Sequence, residues 1–218
     1  SEIPALFSSK TFVCIGGTLR ALSKIIMTET NYPLQTVHGF TYNLDEYFGL
    51  VDSITNAQTS DLKNFGIRKD RYDTMREGCA IFKQIALLLN SQKCITNGSG
   101  VREGVFLDNL LRNTGGKFPT NFNLSVKSMQ DRFIPPTCND SHYVSQTALK
   151  LFDALSYLHQ IDPQRKKELN IAAKLYNVGR KLNFYQEHLH SFYFIINNLN
   201  FGFTHEEKVL IALLIKYH

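Results

Sequence analysis

No apolar run in this chain of 218 residues approaches the ~18 that a membrane-crossing helix requires. The longest, Ile85–Leu89 and Val209–Ile215, are short or interrupted by charge, and mean hydropathy is -0.19. The opening SEIPALFSSK has neither a basic start nor an apolar centre, so no secretory signal is expected and the cytoplasm is the expected compartment. Concentrated charge is missing as well. Residues 1–127 carry 14 Lys/Arg against 11 Asp/Glu and residues 128–218 carry 10 against 8, with the densest run only Arg165-Lys166-Lys167. A net charge of +5 spread in this way reads as solvated surface, and neither nucleic acid nor membrane is expected as a partner. None of the cysteines, Cys14, Cys79, Cys94 and Cys138, stands in a Cys-x-x-Cys pair, so neither zinc nor a redox couple is suggested and all are expected to be reduced packing residues. No repeat of solenoid length is visible. What remains is a chain long enough to bury a core without staples.

Up to about residue 112 strand and helix signals alternate. Thr11–Ile15 is a short β-branched run ended by Gly16-Gly17, followed by a helix over Thr18–Met27. Asn43 and Glu46 open a helix carrying Tyr47, Leu50, Val51 and Ile54. Met75, Cys79, Phe82, Ile85, Ala86 and Leu89 recur at helical spacing. Lys93–Thr96 reads as a second buried strand, closed by Asn97-Gly98-Ser99-Gly100 and followed by a helix over Val101–Arg112. Residues 113–137 are rich in Gly, Pro and Asn and read as punctuation. Beyond them the pattern is helical. Val144, Ala148, Leu151, Leu155 and Leu158 form one stripe; Leu169, Ala172, Ala173 and Tyr176 follow Asp162-Pro163; Leu189, Phe192, Ile196 and Leu199 form a third. Thr204-His205-Glu206-Glu207 is a capping box ahead of Leu210, Leu213, Leu214 and Tyr217. An α/β part is thus expected to precede an all-α part.

Three turns of the first part suit an anion. Gly16, Gly17 and Thr18 place two glycines and a hydroxyl at a helix N-terminus, where free N–H groups and the helix dipole favour negative charge and glycine lets a phosphate reach the backbone. An ordinary tight turn has the same composition. Gly98–Gly104 carries Arg102, which either grips a phosphate or locks the turn through Glu103 and nearby carbonyls, the second being a structural role. Gly66–Asp73 is charged and loop-like, which reads either as plain solvated surface or as leaving the Arg71 guanidinium free to meet a ligand.

Taken together these segments resemble the exopolyphosphatase/guanosine pentaphosphatase (Ppx/GppA) family. Gly16-Gly17-Thr18-Leu19-Arg20-Ala21-Leu22 is similar to its GGT-x-x-AL segment, and His38-Gly39 to the segment after it. Gly66-Ile67-x-x-x-Arg71-x-Asp73-x-Met75-x-x-Gly78 and Gly100-Val101-Arg102-Glu103-Gly104 match two further blocks in order. Ala172-Ala173-x-Leu175, His190-Ser191-x-Tyr193, Gly202-Phe203 and Lys216-Tyr217-His218 fall where the family's helical domain has them. The resemblance implies the back half of an actin/hexokinase-like (ribonuclease H-like) domain over residues 1–118, a linker over 119–138 and an HD-like helical domain over 139–218. It implies removal of the terminal phosphate of inorganic polyphosphate or guanosine pentaphosphate, with Mg²⁺, in a cleft between two such domains of a homodimeric protein. Gly16, Gly17, Thr18, Arg71 and Arg102 are the substrate-binding candidates it supports.

Two departures qualify it. The family's Asp-x-Gly phosphate loop, catalytic glutamate and second phosphate loop precede the GGT segment and have no counterpart here, so no residue of this chain is assigned a catalytic role and the chain alone is expected to be inactive. Tyr176-Asn177 stands where HD domains hold metal with His-Asp, so no metal is expected at His142, His188, His190 or His218. The same departure disfavours an HD-type phosphodiesterase. It keeps open a competing reading, a non-catalytic helical module for interaction or regulation.

Overall fold

A computed structural model describes residues 9–120, 122–136 and 140–218, and the chain divides into two units, Ser1–Gly116 and Lys117–His218. The first unit is built from β1 (Thr11–Ile15), α1 (Gly17–Glu29), β2 (Thr41–Asn43), α2 (Leu44–Asn56), α3 (Tyr72–Leu88), β3 (Lys93–Asn97) and α4 (Val101–Leu111). Short 3-10 turns at Thr59–Phe65 and Lys69–Arg71 lie between α2 and α3. The sheet order is β1-β3-β2: β3 runs parallel to β1, with Val13 opposite Ile95, and antiparallel to β2, with Tyr42 opposite Cys94. β2 adds a third strand to the two legible in the sequence. At three residues it is too short to show an alternation, and the burial of Tyr42 holds it in place.

Alternation along β1 directs Cys14 inward and leaves Val13 and Ile15 more than half exposed. The inward set meets Leu22, Ile25 and Ile26 of α1, Val51 and Ile54 of α2, and Met75, Cys79, Phe82 and Ala86 of α3 in one cluster. Each large aliphatic side chain buried there contributes about 1.5–3 kcal/mol. Ile85, one position off the α3 stripe, is 40% exposed, and α4 exposes Val101, Val105, Phe106 and Leu110.

The second unit is helical: α5 (Leu124–Phe133), α6 (Asp140–Ala154), α7 (Ser156–His159), α8 (Lys166–Leu175), a 3-10 turn at Val178–Lys181, α9 (Glu187–Asn198) and α10 (His205–Lys216). Several expectations change in this unit, among them the α9 stripe, where Leu189 is exposed and Ser191 and Ile195 are buried instead. Residues 124–133, read as linker, form α5: the Asn123 side chain accepts from the Val126 N–H at 3.1 Å, and Val126 and Met129, one turn apart, are buried. The stripe on α6 and α7 does not face the core, since Leu151, Leu155 and Leu158 are 53%, 40% and 70% exposed. α6 instead packs on α8 through small residues, burying Ser141 and Ser145, whose hydroxyl donates to Asn170 Oδ1 at 2.7 Å.

On α10 the buried face is Lys208, Ile211, Ala212 and Ile215, while Leu213, Leu214 and Tyr217 are turned out. Val209–Ile215 is apolar at every position, so hydrophobicity alone carries no phase there. The capping box is formed: Thr204 Oγ1 accepts from the Glu207 N–H, and Glu207 Oε2 accepts from the Thr204 N–H. Cys138 lies outside the described residues.

Candidate functional site

The turn between β1 and α1 sets the site. Gly16 has φ +125°, a conformation that disfavours any residue with a Cβ, and no side chain caps the helix that follows. The first N–H groups of α1 are therefore left without a side-chain cap at a helix end that carries positive dipole charge. Gly17 is held to its identity by a different constraint. A Cβ there would sit 2.4 Å from Nη1 of Arg71, so the guanidinium lies directly against the helix start. Two of the residues singled out from the sequence, distant along the chain, are thereby brought together.

They line a cleft of about 840 Å³ confined to the first unit. One face of α1 contributes Gly17, Arg20, Lys24 and Thr28, the segment between α2 and α3 contributes Lys63, Arg68 and Arg71, and the β3–α4 turn contributes Gly98. The five cationic side chains face a single lining carboxylate, Glu29, while Ile25, Val37 and Phe65 supply an apolar wall. Arg68 also pairs with the exposed Asp70 at 3.2 Å. Arg20, Lys24, Lys63 and Arg68 are not among the candidates drawn from the sequence. Arg20, Lys24 and Thr28 repeat every four residues on a helix face next to the glycine turn, a signal that could have found the first two. Arg68 falls inside the charged Gly66–Asp73 segment, whereas nothing local marks Lys63; both reach the cleft through the chain's return from α2.

Arg20 also ties the cleft together. Its Nε donates to Gly16 O at 3.2 Å and its Nη1 to Gly98 O at 3.3 Å, joining the two glycine turns across the sheet. His38 supports the second turn from behind: Gly98 N–H donates to His38 Nδ1 at 3.0 Å, and a Cβ on Gly98 would meet His38 Cβ at 2.9 Å. Asn97 Oδ1, 3.1 Å from the same ring nitrogen, accepts from Ser99 N–H.

The remaining candidates fall elsewhere. Thr18 packs against α3, since a Cβ on Gly78 would come within 2.7 Å of Thr18 Cγ2. Gly16, Thr18 and Arg102 are not among the cleft-lining residues; Gly16 shapes the turn that presents Gly17. Arg71 ends a 3-10 turn and is half-buried rather than lying in an open loop. Arg102 is exposed, and the tie that closes its turn is made by its neighbour: Glu103 Oε2 accepts from the Gly100 N–H at 2.7 Å. Backbone N–H groups of Glu103 and Gly100 hold that carboxyl below its ordinary value, with Arg102 adding a smaller Coulombic effect. The structural role expected of Arg102 thus passes to Glu103, and Arg102→Ala is expected to leave the thermal midpoint unchanged, whereas Glu103→Ala lowers it. A scan of both variants checks the pair.

In the second unit, Tyr176-Asn177 leads into a junction rather than a ligand set. The Ser191 hydroxyl donates to Tyr176 O at 2.6 Å and accepts from Gly179 N–H at 2.8 Å. His142 is exposed. The His188 and His218 rings lie 6.3 Å apart, and Glu187 is paired with Arg180 at 2.6 Å, which holds its carboxyl below the ordinary value. Among the described residues no three His, Cys, Asp or Glu side chains are grouped to hold a metal, and no helix is long and apolar enough to cross a membrane.

Both units match known proteins. A family model described as the Ppx/GppA phosphatase family matches residues 5–113, and one described as Ppx/GppA phosphatase, domain III, matches residues 123–218. A guanosine-5'-triphosphate,3'-diphosphate pyrophosphatase of Photobacterium profundum is 24% identical over 208 residues, covering 93% of this chain. The chain spans 39% of the length of that relative.

Proposed function

The chain belongs to the Ppx/GppA phosphatase family, and from that premise we propose that its cationic cleft binds the phosphates of inorganic polyphosphate or guanosine pentaphosphate as part of a phosphohydrolase that removes the terminal phosphate. The observation that carries this reading is the gathering of Arg20, Lys24, Lys63, Arg68 and Arg71 along α1 and its N-terminus, with Glu29 the one carboxylate among the lining residues. An extended polyanion needs many donors and little competing negative charge, and a helix start with glycine lets one phosphate oxygen approach backbone N–H groups directly. Arg71, whose guanidinium lies against Gly17, would donate to the same phosphate that meets those N–H groups.

Within the reaction, the part performed by these residues is binding, orientation and charge neutralisation. Preformed cations and N–H groups stabilise negative charge that develops on the phosphoryl oxygens. The carboxylate that activates water is proposed to belong to a part of the parent protein outside this chain. Mg²⁺ is the cofactor that the family resemblance implies. The donor set present does not fit it: a hard cation takes several oxygen ligands, and the cleft offers one carboxylate amid five cations. None of these residues is therefore assigned to a metal.

Two variants test the reading. Arg71→Ala removes a cation without opening the core, and is expected to weaken binding of inorganic tripolyphosphate about tenfold, equivalent to ~1.4 kcal/mol, while the melting temperature stays within about 2 °C. Gly17→Ala drives a Cβ into that guanidinium, a flexible side-chain end, and is expected to lose affinity in the same way. Titration calorimetry and a thermal scan measure both; unchanged affinity with lowered stability at Arg71 would show that this residue is scaffold. Malachite-green assays of the purified chain are expected to give no phosphate release from polyphosphate or guanosine pentaphosphate, and sustained turnover would sink the assignment of the water-activating group.

A further inference from the structure

Cys14 and Cys94 stand 80 residues apart in sequence, and the sheet brings them together. Both lie on the inward face of adjacent parallel strands, each 0% exposed, with their sulfur atoms 2.6 Å apart. That separation is only about 0.5 Å beyond a bonded pair of sulfurs. They are not register partners, since Cys14 faces Thr96 and Cys94 faces Phe12, so they meet on a diagonal. Each also leads into a cleft turn, Cys14 two residues before Gly16 and Cys94 four before Gly98. The third described cysteine differs: Cys79 is buried in α3, where burial alone pushes its thiol up to about 12.

We propose that Cys14 and Cys94 form a modification site, oxidised by a peroxide to a reversible intramolecular disulfide between β1 and β3. The thiolate of Cys94 attacks the peroxide O–O bond, giving a sulfenic acid and hydroxide, which takes a proton to become water. The sulfur of Cys14 then bonds to Cys94 and displaces the hydroxyl, which leaves as a second water with the proton of the Cys14 thiol. Two thiols lose two electrons and two protons in all, and the peroxide is reduced to two waters. Cys94 suits the attacking role because the hydrogen bond from Cys14 holds its thiol below the ordinary value against the opposing effect of burial, with the nearby Tyr42 hydroxyl acting in the same sense.

Access comes through β1, which among the described residues pairs with β3 alone and exposes Val13 and Ile15 on its outer face. Local opening of a strand bonded along one edge exposes what lies beneath it. Bond formation needs the sulfurs to approach by only about 0.5 Å, and a thiol reductant reverses it by exchange.

The test uses the folded chain treated with hydrogen peroxide, then denatured, alkylated with N-ethylmaleimide and digested. A peptide cross-linking Cys14 to Cys94, an intact mass lower by about 2 Da, and recovery of both thiols with dithiothreitol are expected. Cys79→Ser and Cys138→Ser retain the cross-link and Cys14→Ser loses it, so the assignment survives even if the last variant folds poorly. Alkylation of both Cys14 and Cys94 after treatment, their separate conversion to sulfinic acids, or a cross-link seen only in denatured chain would each overturn the proposal.

Discussion

Replacing Gly179 by alanine is expected to unfold the second unit near physiological temperature. A Cβ at this position would lie 2.3 Å from both Glu187 O and Ser191 N, which are backbone atoms of the α9 start and cannot rotate away. The turn itself has no slack, because the Gly179 N–H is bound to Ser191 Oγ at 2.8 Å and that hydroxyl is bound to Tyr176 O. The methyl group must therefore separate the 3-10 turn from α9 or break both hydrogen bonds. Overpacking costs typically ~1–3 kcal/mol and more when backbone must move, which corresponds to a fall of roughly 10–20 °C in a unit of this size. Gly104→Ala is the control: nothing lies within 4 Å of its added Cβ, and an exposed helical glycine exchanged for alanine gains stability. A Gly179→Ala chain melting within a few degrees of the parent would show that the junction yields.

Lys208→Met is expected to stabilise the chain. Lys208 is completely buried on the inward face of α10, and its ammonium donates a hydrogen bond to Asn200 Oδ1 at 2.9 Å. Desolvation lowers its pKa from 10.5 to about 8. Because the folded value lies below the unfolded one, the unfolded chain binds more protons between pH 8 and 10.5, and stability rises with pH across that window. The penalty of the buried charge is absent above pH 10.5 and complete once pH has fallen through 8. At neutral pH that charge thus costs about 2–3 kcal/mol, and methionine fills similar volume without it. Urea unfolding at pH 7 should show a gain of about 2 kcal/mol for the variant, and a series up to about pH 10 should show the two proteins converging. A parent whose stability is flat over that range would refute the assignment of the shift to Lys208.

The residues that could be read in advance are those whose surroundings are supplied by neighbours in sequence. Thr11–Ile15 before Gly16-Gly17 is strand then turn because β-branched residues and a positive-φ glycine act within a few positions, and Thr204 with Glu207 closes a helix start within one turn. The order of the family blocks is likewise a property of the chain. Phase and convergence are different in kind. Leu151, Leu155 and Leu158 repeat as a core stripe would, yet they lie exposed because Ser141 and Ser145 let α8 approach a different face of α6. Lys63, Arg68 and Arg71 become part of one cationic cleft only when the return from α2 lays them against α1. The sulfurs of Cys14 and Cys94 meet only because β3, 80 residues on, pairs in parallel with β1. Propensity, capping and motif order act over short stretches, so most local elements and the family were legible along the chain, whereas the three-residue β2 and the α5 helix inside the Gly/Pro/Asn-rich stretch were not. Which charges face one another and which thiols touch came from packing alone, because those distances are set by the pairing of segments whose sequences carry no mutual signal.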